Sequence, residues 1–372
     1  MAHQSSTLTT SLTRPGANNG GSDPRELYLK LFSGEMFKGF ENNAIARDLV
    51  MKRTLKNGKS LQFIYTGRTT AEYHTPGNAI LGNSDGAPPV AEKTIVVDDL
   101  LISSAFVYEL DETLAHYELR GEISRKIGYA LAEKYDRLIF RSITRGARAA
   151  SPITKANFIE PGGTQIRVGS TTNESDAFNA QNLVAAFYDA AAAMDEKGIS
   201  QDGRVGVLNP RQYYALIQEV GDNGLVNRDA QGDSRQSGQG IVEIAGIKIY
   251  KSMNIPFLGK YGTKYGGTTG ETDPGNTGSF ISPTPENANS GGHKNDYGTN
   301  TELGAKSCGL IFQKEAAGVV ETIGPQVQVT SGDVSVVYQG DVILGRLAMG
   351  ADYLNPAAAV ELHVGATAPS AF

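Results

Sequence analysis

The sequence predicts an α+β subunit whose parts are completed by neighbours, and three observations predict it. A ribbon pattern runs from about residue 59 to 108, an unusually long helical pattern follows from about 110 to 145, and helices then alternate with strands around a mixed sheet. At 1.5 Å rise per residue the helix alone measures roughly 50 Å. A compact chain of this length has a radius of gyration of about 21 Å, hence a diameter near 54 Å. A helix that crosses the whole molecule implies a flattened or elongated subunit, which suits a shell better than a pocket.

Residues 1 to about 23 are rich in Ser, Thr, Asn and Gly, with too few large apolar groups to offset the entropy of ordering, and read as a mobile tail. Asp23-Pro24, an N-cap with proline at the first helical position, opens an amphipathic arm bearing Leu27, Leu31, Met36 and Phe40, with a break near Gly34. Its apolar face suits docking on its own body, a neighbour or an assembly partner. Residues 44–55 continue in mixed helical and extended form.

Leu61, Phe63 and Tyr65 recur at every second position, and Ile95 and Val97 do the same on the return leg, so the two legs read as strands of an antiparallel ribbon. Its tip, from Pro76-Gly77 through Asp85-Gly86 to Pro88-Pro89, is dense in turn formers. A two-stranded ribbon is marginally stable in water. Its apolar face therefore needs another surface, and if the helix already fills the subunit, that surface belongs to a neighbour.

The helix carries Leu110, Leu114, Tyr117, Gly121, Ile127, Leu131, Tyr135 and Leu138 at helical spacing, one stripe for packing on a sheet. Asp111 and Glu112 near its start and Arg141, Arg145 and Arg148 near its end suit the helix dipole. After a Gly-rich crossing, Asn179 to Lys197 reads as a helix stopped by Gly198, and Arg204 to Leu208 as a strand. Asn209-Pro210 opens a short helix to about Val220. Residues 241–244 and 247–251 read as strands joined through Ala245-Gly246. Residues 258–301, rich in Gly, Asn, Thr and Pro, form a long surface insertion. Strands are expected at 310–312, 319–323, 327–329 and 360–364, with a helix over about Asp333 to Met349 that packs Val336, Val337, Ile343, Leu344 and Leu347.

Composition narrows the function. With 372 residues, 40% hydrophobic and 20% charged, the chain has room for two or three compact units with a real core. A net charge of −6 disfavours a protein that grips phosphates over its whole surface. Cys308 is the one cysteine, so no internal disulfide forms and its thiol reads as a small buried apolar group. The N-terminus has neither a basic nor an apolar signal region, and no run approaches the roughly 18 apolar residues of a membrane helix, so no membrane partner is expected.

No sequence motif points to catalytic chemistry. Asn57-Gly58-Lys59-Ser60 lacks the glycine that a phosphate loop needs five residues before Gly58, a position held by Arg53. The tract from Tyr261 to Gly267 lacks the strand and helix of a dinucleotide site. His3, His74, His116, His293 and His363 show no metal-ligand spacing, and no Gly-x-Ser-x-Gly elbow occurs. Asp98-Asp99 and Asp111-Glu112 read as a strand end and a helix start rather than paired acid and base. No catalytic, cofactor or metal site is expected, and the chain does not read as an enzyme.

The remaining signals are short and ordered. They are Lys30-Leu-Phe-Ser-Gly-Glu-Met-Phe in the arm, Gly58-Lys-Ser-x-Gln-Phe and Gly67-Arg-Thr-x-Ala-x-Tyr with Pro76-Gly77 in the ribbon, and Asp99-Leu-Leu before the helix. His116-Tyr117-x-x-Arg120 follows, and Ala348-Met349-Gly350-Ala-x-x-Leu354-x-Pro356 closes the series. In that order and spacing, over about residues 26–140 and 310–364, the chain resembles the major capsid proteins of T7-like podoviruses, short-tailed double-stranded DNA phages with the HK97-type fold.

The resemblance implies a tail and N-terminal arm at 1–57, an extended β-hairpin loop at 58–105, and a peripheral domain with the long spine helix at 106–171. An inserted axial domain with a mixed sheet follows at 172–310, and the chain returns to the peripheral domain at 311–372. It also implies a virion protein that self-assembles as hexamers and pentamers into an icosahedral shell. Assembly would take place in the host bacterial cytoplasm on a scaffolding protein, with a portal protein at one vertex. The shell then expands from procapsid to mature form and holds packaged double-stranded DNA by weak, non-specific contact. Arg68 and Glu72, with Leu61, Phe63 and Tyr65, are expected at intersubunit contacts, and Leu27, Leu31, Met36 and Phe40 on the scaffold-facing arm. The insertion at 258–301 departs from the family's shorter loops. Two competing readings are an encapsulin-like cargo shell of the same fold and a soluble α/β enzyme built on the middle unit.

Overall fold

The computed structural model describes residues 45–68, 73–78, 89–97, 100–109, 119–155, 158–169, 174–218, 243–252, 254–255, 307–329, 339–364 and 368. The arm residues Leu27, Leu31, Met36 and Phe40, the ribbon's Glu72, residues 79–88 of its tip, the first turns expected of the long helix and the insertion lie outside the described residues.

In chain order the elements begin with α1 (Ala46–Leu49), β1 (Met51–Thr54), β2 (Ser60–Thr66), β3 (Val90–Val96), β4 (Leu101–Tyr108) and α2 (Leu119–Arg148). Then come β5 (Thr154–Lys155), β6 (Phe158–Ile159), β7 (Thr164–Arg167), α3 (Ala180–Glu196), β8 (Arg204–Leu208), α4 (Pro210–Gln218), β9 (Glu243–Ile244) and β10 (Ile247–Lys251). The last are β11 (Ser307–Gln313), β12 (Ala317–Val329), β13 (Gly340–Tyr353) and β14 (Ala359–His363). One sheet has the order β1-β12-β13-β4, a larger one β7-β14-β11-β8-β10-β9, and two pairs are β2-β3 and β5-β6. The chain divides into two compact units, one holding Val97–Tyr135 and Glu321–Met349, the other Ile45–Val96, Asp136–Val320 and Gly350–Phe372.

In the first unit β4 runs antiparallel to β13, from Tyr108 opposite Gly340 to Leu101 opposite Leu347. The ribbon thus ends at Val96, and the strand after it belongs to a different sheet. Ile127 and Leu131 of α2 bury against Val107 and Ile343, flanked by Leu101, Ala105 and Ile123. Each such side chain contributes roughly 1.5–3 kcal/mol. The Tyr135 hydroxyl donates to Glu321 Oε1 at 2.6 Å. Of the stripe read from the sequence, Ile127, Leu131, Tyr135 and Leu138 are buried and Gly121 is exposed, while Leu110, Leu114 and Tyr117 lie outside the described residues.

The helix expected over Asp333 to Met349 is corrected by this unit, because residues 340–349 are part of β13. Ile343 and Leu347 are four apart, which places them on one face of a helix and equally on one face of a strand. Their partner on that face is Gly345, where a Cβ would come within 2.3 Å of Ile127 Cγ2. Two glycines within that span, Gly340 and Gly345, each cost a helix about 1 kcal/mol. In a strand, Gly345 instead lets α2 approach closely.

The second unit is built on the six-stranded sheet. β8 is buried along its whole length, with β10 parallel to it and β11 antiparallel. Beyond β11, β14 runs antiparallel to it and β7 parallel to β14. Asn179 caps α3 by accepting from Gln181 N, and Gly198 follows the Lys197 cap at φ 71°. Leu183, Phe187, Ala190 and Met194 form its buried face. Ala245 and Gly246, both at positive φ, make the two-residue turn between β9 and β10. Cys308 is buried, and burial pushes its thiol far above the usual range.

Asp136 of α2 is buried, and its carboxylate accepts from Ile45 N at 2.8 Å and Ala46 N at 3.1 Å, with Asn254 Nδ2 at 3.4 Å. Desolvation raises its pKa from 3.8 to about 6, and those hydrogen bonds oppose the rise. A carboxyl raised in the folded state stabilises it fully below about pH 4 and loses that contribution as pH climbs past about 6, roughly 2–3 kcal/mol in all. The stability of wild type relative to Asp136→Asn is expected to fall across that window in denaturant titrations. A flat difference would show that the buried carboxyl is not titrating there.

Candidate functional site

The ribbon is a strict antiparallel pair from Ser60 opposite Val96 to Thr66 opposite Val90. Its alternation sorts two faces. One carries Leu61, Phe63 and Tyr65, half-buried, opposite Ile95, Lys93 and Ala91. The other is solvent-facing and presents Ile64 at 74% exposure, Val90 at 61% and Val96 at 49%.

The half-buried face rests on the chain's own second unit. Ile95 is 1% exposed and lies against Gly318. Lys93 Nζ sits 3.0 Å from Asp352 Oδ2 and 3.6 Å over the Tyr353 ring, while Arg145 Nη1 approaches the same carboxylate at 3.8 Å. A cation held between a carboxylate and an aromatic face orients the strand that carries it.

A second anchor holds the end of the paired strands nearest the ribbon's tip, where Thr66 stands opposite Val90. Glu160 is buried, and Oε1 accepts from the Arg68 backbone N–H while the Arg68 guanidinium lies 3.6 Å from Oε2. The Tyr65 hydroxyl is 3.4 Å from that oxygen, and burial with the nearby carboxylate pushes the Tyr65 pKa up. Arg68 Nη2 also donates to Lys197 O, at the C-terminal end of α3. A cation there meets the negative end of the helix dipole and a carbonyl with no intrahelical partner. Gly67 N donates to Pro89 O at 2.8 Å and closes the ribbon above this anchor. Around it lies a cleft of about 240 Å³ lined by Tyr65, Arg68, Glu160, Gly198, Gln313 and Asn355.

The sequence-predicted contact residues are thus split. Leu61, Phe63 and Tyr65 come together on the ribbon's half-buried side, whereas Arg68 lies just past β2, exposed yet bonded inside its own chain. The exposed apolar residues Ile64, Val90 and Val96 were not singled out by sequence, although the same alternation contained them. Glu160 was missed because it stands in the Gly-rich crossing without periodicity. Glu160→Ala is expected to cost about 1.5–3 kcal/mol and to speed amide hydrogen exchange in β2 and β3 specifically. Unchanged exchange there would remove Glu160 as the ribbon's anchor.

Among the described residues no group of three His, Cys, Asp or Glu is placed to hold a metal, and no helix is long and apolar enough to cross a membrane. The site is a docking geometry of strand faces and anchors.

Comparison with known proteins gives it a context. A family model described as Gp10A-like, Major capsid protein, matches residues 62–363. The Major capsid protein of Escherichia phage T7 is 26% identical over 358 residues, covering 92% of this chain and 95% of its own length. The capsid structure of the Cyanophage P-SCSP1u superposes with a TM-score of 0.68 at 29% identity, covering 94% of this chain and 97% of that one. The mature capsid of bacteriophage PhiM1 shares the fold with a TM-score of 0.63 at 14% identity, over 91% of this chain and 92% of its own.

Proposed function

Since this chain belongs to the Gp10A-like major capsid protein family and has the HK97-type fold, we propose that it assembles as hexamers and pentamers in which each ribbon lies over the adjacent copy. The chain is a structural protein of a phage virion shell and not an enzyme. Neither the cargo-shell nor the enzyme reading gains support from its relatives. Assembly runs in the host cytoplasm on a scaffolding protein, with a portal at one vertex, and the procapsid expands around double-stranded DNA that it contacts weakly. Residues 58–105 act as the extended loop, 106–171 and 311–372 as the peripheral domain, and 172–310 as the axial domain, with 1–57 as the arm.

The observation that carries this reading is the ribbon's solvent-facing side. Three large β-branched residues, Ile64, Val90 and Val96, stand exposed on one strand face, an arrangement expected of a surface that a partner covers. Leu61, Phe63 and Tyr65, half-buried on the opposite face, keep area for the same neighbour. Arg68 and Glu72 contribute polar contacts to that neighbour, and Leu27, Leu31, Met36 and Phe40 face the scaffold.

Co-expression with a scaffolding protein, followed by size exclusion and electron microscopy, is expected to give closed shells with the ribbon across the neighbouring subunit. Monomers or small oligomers alone, with scaffold supplied, would overturn the proposal. Ile64→Asp is expected to block closure while leaving the subunit folded, because it puts a charge in the covered face.

A further inference from the structure

We propose that the basic edge formed by β1 and the turn after it is the surface through which the shell touches packaged DNA. The inference rests on the proposed capsid function and locates one of its partners. Lys52, Arg53, Lys56 and Lys59 put four cations within eight residues, and no acidic residue occurs between Asp48 and Glu72, in a chain whose net charge is −6. All four are exposed, and among the described residues β1 is an edge strand of its sheet. No ion pair engages Arg53, Lys56 or Lys59 among the described residues.

The chemistry of the segment fits phosphate rather than a protein face. Its exposed residues are cations or short hydrogen-bonding groups, namely Thr54, Asn57 and Ser60 beside the four basic side chains, while Met51 and Leu55 are half-buried. A protein interface centres on apolar or aromatic anchors surrounded by a polar rim, and this edge exposes none. Phosphate recognition needs only cations and neutral donors in a row, with no base-reading geometry. The two-sided exposure of Lys52, Arg53 and Thr54 on β1 also suits a polyanion met in many orientations. A local patch on an acidic chain gives contact that is weak and salt-sensitive, as packaging and release require.

The test uses the full-length subunit, a fluorescent random-sequence DNA duplex and anisotropy titrations at several salt concentrations. The triple variant Arg53→Gln/Lys56→Gln/Lys59→Gln is expected to bind more weakly, with a log-affinity against log-salt slope shallower by about 2 to 3. Lys248→Gln, which removes an exposed cation elsewhere, should change the slope by less than about 1. An unchanged slope in the triple variant overturns the proposal. So does a triple variant that keeps DNA binding but loses scaffold-dependent assembly, which would make the edge a protein contact, or one that keeps DNA binding but aggregates, which would make the charges protection for a free strand edge. Failure of wild-type subunits to form shells would instead count against the capsid reading itself.

Discussion

Arg148→Ala is expected to lose about 3–5 kcal/mol of subunit stability, because it strands a buried carboxylate. Arg148, at the last turn of α2, has its side chain 1% exposed, and its partner Glu361 on β14 is fully buried. The pair is bidentate, with Arg148 Nε donating to Oε2 at 2.7 Å and Nη2 to Oε1. Gln165 Nε2 of β7 donates to Oε2 at 2.9 Å, so one carboxylate ties α2 and β7 to β14. Removing the guanidinium leaves the charge without its counter-ion in a low dielectric. The paired replacement Arg148→Met/Glu361→Leu removes both charges and should recover most of the loss, since two apolar groups of similar volume avoid the desolvation cost. Denaturant titration of all three proteins checks this, and a double variant as unstable as the single one would show that the fold needs the charges themselves.

Phe187→Ala is expected to cost about 3–5 kcal/mol by opening a cavity between α3 and β8. Phe187 is fully buried, and its ring lies over Gly206, where a Cβ would come within 2.6 Å of Cε1. The glycine and the ring are therefore one packing unit. Gly206→Ala alone should be destabilising through the clash, and its cost should largely vanish in the Phe187→Ala background. A double-mutant cycle reads that coupling as non-additivity, and additive effects would mean that the backbone moves apart freely.

Where local chemistry decides structure, the chain was legible. Asn179, Gly198 and Asn209-Pro210 are local end signals, and the helices begin and end at them. Ala245-Gly246 makes its turn because the residues there tolerate positive φ. For residues 340–349 the spacing of Ile343 and Leu347 fits helix and strand alike, and it is the pairing with β4 and the close approach of Ile127 to Gly345 that make them a strand. Glu160, Asp352 and Glu361 carry no local signal. Their partners Arg68, Lys93 and Arg148 are 92, 259 and 213 residues away along the chain.

By itself the sequence determined the element types at capped or alternating segments, the absence of a catalytic motif, and membership of a capsid family through motifs in a fixed order. The tertiary structure decided which face of the ribbon is covered and which is free, that Arg68 is engaged within its own chain, and that residues 340–349 lie in a sheet. The physical reason is range. Caps, turns and alternation are set by neighbouring residues, whereas burial and ion pairing depend on which distant segment arrives opposite, and a two-residue period labels two faces without saying which one meets the core.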